Sequence, residues 1–235
     1  MVKNVINVWK INILELYVML AAIFASGIIG MLILTIILAI DKETTTAAVG
    51  TFMALLLWAL LNMIFGLFGF ENDFNMLVAL GCRRKDYIIS KILAVYMNML
   101  MEAVGVLVLG MLERAFIAVF FADREYERLV EYLLDYRIIL GIILLIPAIR
   151  LCLGALMLRF QQKAFWIFWG LWIVIGYGSG RYVSSITKHP HSRIMVLIRE
   201  IINLSDIVQI LAICILSGVM LAVTYYLTKK QAVYA

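Results

Sequence analysis

Apolar residues gather in six long windows: Leu16 to Ile40, Ala47 to Phe70, Ile92 to Phe121, Ile138 to Leu158, Ala164 to Gly180 and Ile207 to Leu227. A helix needs about 20 such residues to cross a bilayer. The pattern therefore predicts an all-α membrane protein with six transmembrane helices in a single transmembrane domain, residues 1–235, and with both termini on one side. The third window is long enough to project beyond the lipid, with Glu113 and Arg114 near its outer end. The fifth is short and is expected to continue past Arg181 or to join a re-entrant segment. The first is too long for the apolar part of a cleaved signal and predicts a retained helix.

Three polar stretches between the windows carry helical periodicity of their own. In residues 1–15, Lys3, Asn7 and Lys10 share one helical face and Val5, Val8, Trp9 and Ile13 lie elsewhere, which predicts a helix lying in the membrane interface. Ala122 to Arg137 sets Tyr126, Leu129, Val130, Leu133 and Leu134 among charges and extends the third helix outward. Ser192 to Leu204 collects Ile194, Leu197, Ile198, Ile201 and Ile202 on one side, a second amphipathic helix before the last span. Small residues at Ala22, Ser26 and Gly30, and at Gly176 and Gly180, allow close helix approach, either within one subunit or across a dimer.

Composition sharpens this picture. The chain is 65% apolar and 15% charged, with two prolines and a mean hydropathy of +1.03, against about 45–50% apolar and about 25% charged in soluble domains. Lipid must cover much of such a surface. The net charge of +5 does not point to nucleic acid, because the basic residues sit in short groups between apolar runs, as membrane topology demands. The short basic turn at Arg159 and Lys163, and the group Arg83, Arg84, Lys85 and Lys91, place both termini in the cytoplasm. Cys82, Cys152 and Cys214 are far apart and lack metal-site spacing, so they read as packing residues.

The most informative polar stretch is Phe70 to Lys91, FENDFNMLVALGCRRKDYIISK. It holds an acidic start, an apolar helical run (Phe74, Met76, Leu77, Leu80), Gly81 and a basic cluster. Read physically, it is a short helix parallel to the membrane, broken at Gly81, with an exposed face able to dock on another protein. Anchoring to anionic headgroups explains the basic residues alone.

A phenylalanine and acid, a helical run ending in Leu-Gly, then basic residues, Lys-Asp-Tyr and a lysine opening the next helix together resemble the coupling-helix region of ABC type-2 exporter permeases. The layout of interfacial helix, six spans and outer helix before the last span is similar too. The resemblance implies that the coupling segment, 71–91, seats on a cytoplasmic ATP-binding-cassette ATPase, with Glu71, Asp73, Phe74, Leu80, Gly81, Arg83 and Arg84 at or near the contact. It implies a second permease copy or a related partner, surrounding membrane lipids and a multi-pass location in a cell membrane, the bacterial cytoplasmic membrane. The chain has no GxxxxGK[ST] phosphate loop, so it is expected to bind no cofactor itself, with ATP and Mg on the partner ATPase.

Ionisable and polar residues inside the windows are the other signal. At about 1.5 Å per residue from the cytoplasmic ends, Glu102 and Arg150 lie at about 15 Å and about 12 Å depth, with Asn62 at a similar level. A lone charge there is costly, so Glu102 and Arg150 are expected to pair, either as a structural ion pair or as part of a substrate pathway. Enzyme patterns fail: Tyr177-Gly178-Ser179-Gly180 lacks the glycine and the histidine of rhomboid-like proteases, and His189 and His191 flank a proline with no further ligand. Phe165, Trp166, Phe168, Trp169 and Trp172 fit an interfacial aromatic belt or a cage for a ligand. The expected function is the permease subunit of an ATP-driven exporter of an amphipathic peptide or lipid-like compound, not an enzyme. The rival readings are an intramembrane enzyme using Glu102 and a non-catalytic scaffold or immunity protein.

Overall fold

A computed structural model describes residues 2–40, 45–46, 48–121, 125–126, 136–170, 173, 206–229 and 231. Five long helices dominate them: α1 (Val2–Ile40), α2 (Val49–Ala79), α3 (Arg84–Phe120), α4 (Tyr136–Phe160) and α5 (Asp206–Lys229). Residues 162–170 form a further helical stretch after a turn at Gln161. Thr45–Thr46 pairs in parallel with Glu125–Tyr126. All five long helices are long and apolar enough to cross a membrane, so the chain is an all-α, multi-pass membrane protein.

Helix ends differ from the sequence expectation in an informative way. α1 is unbroken from Val2, so the helix expected over 1–15 and the first span are one element. α2 likewise runs through Ala79, and α3 starts at Arg84. The expected separate helix parallel to the membrane is instead the end of α2, and a four-residue turn joins it to α3. Gly81 is the break, with φ at +85°, where a side chain would be strained. The apolar windows underestimate α2 and α3 because charged residues near a helix end need no lipid and yet extend the hydrogen-bonded helix. The expected fifth span is described only over 162–170 and at 173. The Gly176–Gly180 pair, His189 and His191 and the amphipathic helix over 192–204 lie outside the described residues.

α1 packs on α2 and α3, α2 packs on α4, and α4 carries α5. Glycine sets two of these crossings. A Cβ on Gly30 would lie 2.6 Å from the Gly50 backbone, so the small-residue stripe of α1 seats α2 within the subunit. A Cβ on Gly154 would lie 2.5 Å from Phe70 Cβ and 2.8 Å from the Gly66 carbonyl oxygen. Gly154→Leu should therefore force α2 and α4 apart and cost about 1–3 kcal/mol. Gly218→Leu, where nothing lies within 4 Å, should leave the unfolding midpoint of the purified protein unchanged.

The core divides along the helix axes. Near the α2–α3 turn, Phe70, Phe74, Leu77, Tyr87, Ile88 and Val95 pack with Leu151 and Leu158 of α4. Deeper, Met19, Ile23, Ala54, Trp58, Met99 and Leu109 join α1, α2 and α3. Exposed apolar side chains such as Ile29, Leu32, Ile36, Val104 and Met111 face outward, as lipid contact requires.

Candidate functional site

Two helices antiparallel across a short turn bring residues into register from the turn outward. On α2 the polar residues Asp73, Asn62 and Thr51 are eleven residues apart, and on α3 so are Lys91, Glu102 and Glu113. Eleven residues make close to three helical turns, so each set stays on one face. The two faces meet, and the result is three buried polar rungs about 16 Å apart along the hairpin.

The rung nearest the turn ties three helices. Lys91 Nζ lies 2.5 Å from Asp73 Oδ2 and also donates to Asn12 Oδ1 of α1. Tyr87 donates its hydroxyl to the Phe70 carbonyl at 3.2 Å and packs edge-on against both Phe70 and Phe74. The end of the hairpin is thereby braced against α1 by the Lys91–Asn12 hydrogen bond, and within itself by the Asp73–Lys91 ion pair and aromatic packing.

The middle rung gathers side chains from four helices. Trp58 Nε1 donates to Glu102 Oε2 at 2.7 Å, and Asn62 Nδ2 donates to the same oxygen at 3.1 Å. Asn62 Oδ1 accepts from Arg150 Nη1 at 3.0 Å, and Arg150 Nη2 forms an ion pair with Glu15 of α1. The guanidinium also lies 6.0 Å from the Phe65 ring centroid, and Gly66 leaves room for the stem, since a Cβ there would meet Arg150 Cγ at 3.0 Å. Glu102 is 0% and Arg150 5% exposed. The expected grouping of Asn62, Glu102 and Arg150 is present, but the expected direct pair is not. Asn62 stands between the two charges, and the partner of Arg150 is Glu15.

The far rung caps a helix. Glu113 is fully buried, and its Oε1 and Oε2 accept from the backbone N–H groups of Gly50 and Thr51, each at 2.7 Å. Oε2 also accepts from the Thr51 hydroxyl. A carboxylate there satisfies donors that the first turn of α2 leaves free and complements its dipole. Glu113, expected near the outer end of α3, thus faces the first turn of α2 and not solvent.

The turn itself exposes a mixed surface. Leu80 is 76% exposed, and Gly81, Arg83, Arg84 and Lys85 are exposed beside it. Phe74, at 0% exposure, belongs to the core and offers nothing to a partner. Asp73 is held by Lys91, and Glu71 is half-buried. Of the residues expected to dock, Leu80, Gly81, Arg83 and Arg84 thus share one accessible tip, while Phe74 and Asp73 stiffen it from inside. Burial and the nearby Asp86 carboxylate push the Cys82 thiol up, which makes it a poor nucleophile.

Sequence reasoning missed Glu15, Trp58, Thr51 and Glu113 as members of these rungs. The shared spacing of eleven on two neighbouring windows is the signal that could have found Thr51 and Glu113, whereas Glu15 and Trp58 lie off it. No group of three or more His, Cys, Asp or Glu suited to a metal occurs among the described residues.

The fold and its rungs define a multi-pass helical membrane protein with a braced hairpin end and a buried polar network spanning four helices. No family model, curated protein or solved structure matches the chain.

Proposed function

We propose that this chain is the membrane subunit of a transporter driven by a separate ATP-binding-cassette ATPase, of the type-2 exporter permease kind its sequence resembles. The observation that carries the reading is the α2–α3 tip: an exposed leucine flanked by three basic residues on a helix end that is braced behind it. A coupling element must be accessible to its partner and too stiff to absorb the motion it passes on. Leu80 with Arg83, Arg84 and Lys85 meets the first need. The Asp73–Lys91–Asn12 contacts and the Phe70–Tyr87–Phe74 cluster meet the second.

From the tip, displacement runs along α2 and α3 to the middle rung, where Asn62 and Glu102 join Arg150 of α4 and Glu15 of α1. Six spans with cytoplasmic termini, a second permease copy and an amphipathic substrate complete the proposal. ATP and Mg belong to the ATPase, since the chain lacks a phosphate-binding loop. Affinity purification of the tagged chain in mild detergent from its native source tests it. A separate chain with a phosphate-binding loop and vanadate-sensitive ATPase activity should accompany it. Recovery of the chain without any ATPase, under conditions that keep it folded, would remove the reading.

A further inference from the structure

The middle rung is unbalanced. It contains two carboxylates, Glu15 and Glu102, and one guanidinium, Arg150, and the guanidinium is directly paired with Glu15. Both donors that reach Glu102 bond to Oε2, from Trp58 and from Asn62. Glu102 Oε1 is buried and has no hydrogen-bond partner among the described residues. A buried carboxylate oxygen left without a donor is costly, and an intramembrane carboxylate calls for a cation.

On the other side of Trp58 from its bond to Glu102 is an apolar cavity of about 110 Å³ between α2, α3 and α4, lined by Leu55, Trp58, Leu100, Val104, Ile139 and Ile143 among others. Leu100 and Val104 are exposed on the outer face of α3, so the cavity opens sideways toward lipid. Trp58 belongs to both features: its ring lines the cavity and its indole N–H holds Glu102.

We propose that this pair of features is a binding site for a lipophilic cation, an apolar chain carrying an ammonium group, which enters from the bilayer. On binding, Trp58 turns aside, the few methylenes nearest the headgroup occupy the slot while the rest of the chain stays in lipid, the ammonium meets Glu102 Oε1, and the Trp58 face adds a cation–π contact. The ligand's charge balances the rung, which a neutral or anionic amphiphile cannot do. The proposal names the substrate class for the transport reading and rests on that reading for the ligand's role as cargo, while binding itself needs no ATPase.

The test is equilibrium binding of radiolabelled dodecyltrimethylammonium to the purified full chain in phosphatidylcholine nanodiscs, with neutral dodecanol as the comparison. Saturable one-site binding is expected for the native chain. It should weaken by about tenfold or more in Glu102→Gln, which removes the charge and keeps the shape, and in Ala103→Phe, which fills the slot. Ala103 lines the cavity but is outside the polar rung, so it probes the slot separately. Dodecanol uptake should be the same in all three proteins. Equal affinity of native and Glu102→Gln protein for the cation, or uptake that never saturates, would overturn the site and leave Glu102 as a carboxyl that holds a proton. A chain that co-purifies with an ATPase from its native source but does not bind the cation would remove the site alone, whereas a chain that binds the cation but co-purifies with no ATPase would remove the transport reading alone.

Discussion

Arg150→Ala should unfold much of the protein, with a cost of about 3–5 kcal/mol, because it strips the partner from a buried charge. The guanidinium is the hub of the middle rung: one nitrogen serves Asn62 at 3.0 Å and another pairs with Glu15, whose side chain is 13% exposed. Without it, the Glu15 carboxylate stays in an apolar bundle with nothing to neutralise it, and Asn62 Oδ1 loses its donor. The geometry also says which second change should rescue the first. Arg150→Met combined with Glu15→Gln removes both charges and should recover a large part of the loss. Arg150→Met combined with Glu102→Gln leaves Glu15 stranded and should recover little. Thermal unfolding of the four proteins in one detergent gives the comparison. Rescue by Glu102→Gln in place of Glu15→Gln would show that the ion pair runs across Asn62 to α3 and not to α1.

That cycle also marks how far the residues alone lead. Depth along each helix was legible, because rise per residue is constant: Asn62, Glu102 and Arg150 were expected at one level, and they meet there. Direction around each axis was not. Whether Arg150 faces Glu102 or Glu15 depends on which helices touch, and the close α2–α4 approach that decides it turns on Gly66 and Gly154, two isolated glycines in apolar runs. Glu15 was hidden for a related reason. It lies at the polar edge of the first apolar window and reads as a cytoplasmic acid, yet α1 continues unbroken through it.

The turn shows the same division. Gly81 was legible as a break because a helix run followed by glycine and basic residues marks a C-terminus, and its φ of +85° agrees. The role of Phe74 was not legible, since an apolar residue at helical spacing can face a partner or its own bundle. Tyr87 settles the matter by packing edge-on against it at 5.4 Å between ring centroids. The three rungs were present in the numbering of Thr51, Asn62 and Asp73 against Lys91, Glu102 and Glu113. Windows chosen for hydrophobicity pass over such a pattern, because they average across the few polar positions that carry it.

The α2–α3 tip carries the central claim, and Leu80→Asp strikes it with the least collateral damage. Leu80 is 76% exposed and follows the last residue of α2, so an aspartate there breaks no core contact. An apolar anchor at the centre of an interface typically costs about 2 kcal/mol or more when lost, and a carboxylate placed in a groove shaped for leucine costs more. Arg83 and Arg84 at the rim should affect the association rate and its salt dependence more than the affinity. Phe74→Ala is the contrasting change: it hollows the buried cluster and should lower stability by about 3–5 kcal/mol before it affects any partner. The decisive measurement is ATPase retention and substrate-stimulated hydrolysis by the purified complex carrying Leu80→Asp, alongside its thermal midpoint. The account predicts an unchanged midpoint with the ATPase released or its stimulation abolished. A complex that keeps its ATPase and full stimulation with aspartate at position 80 would contradict it.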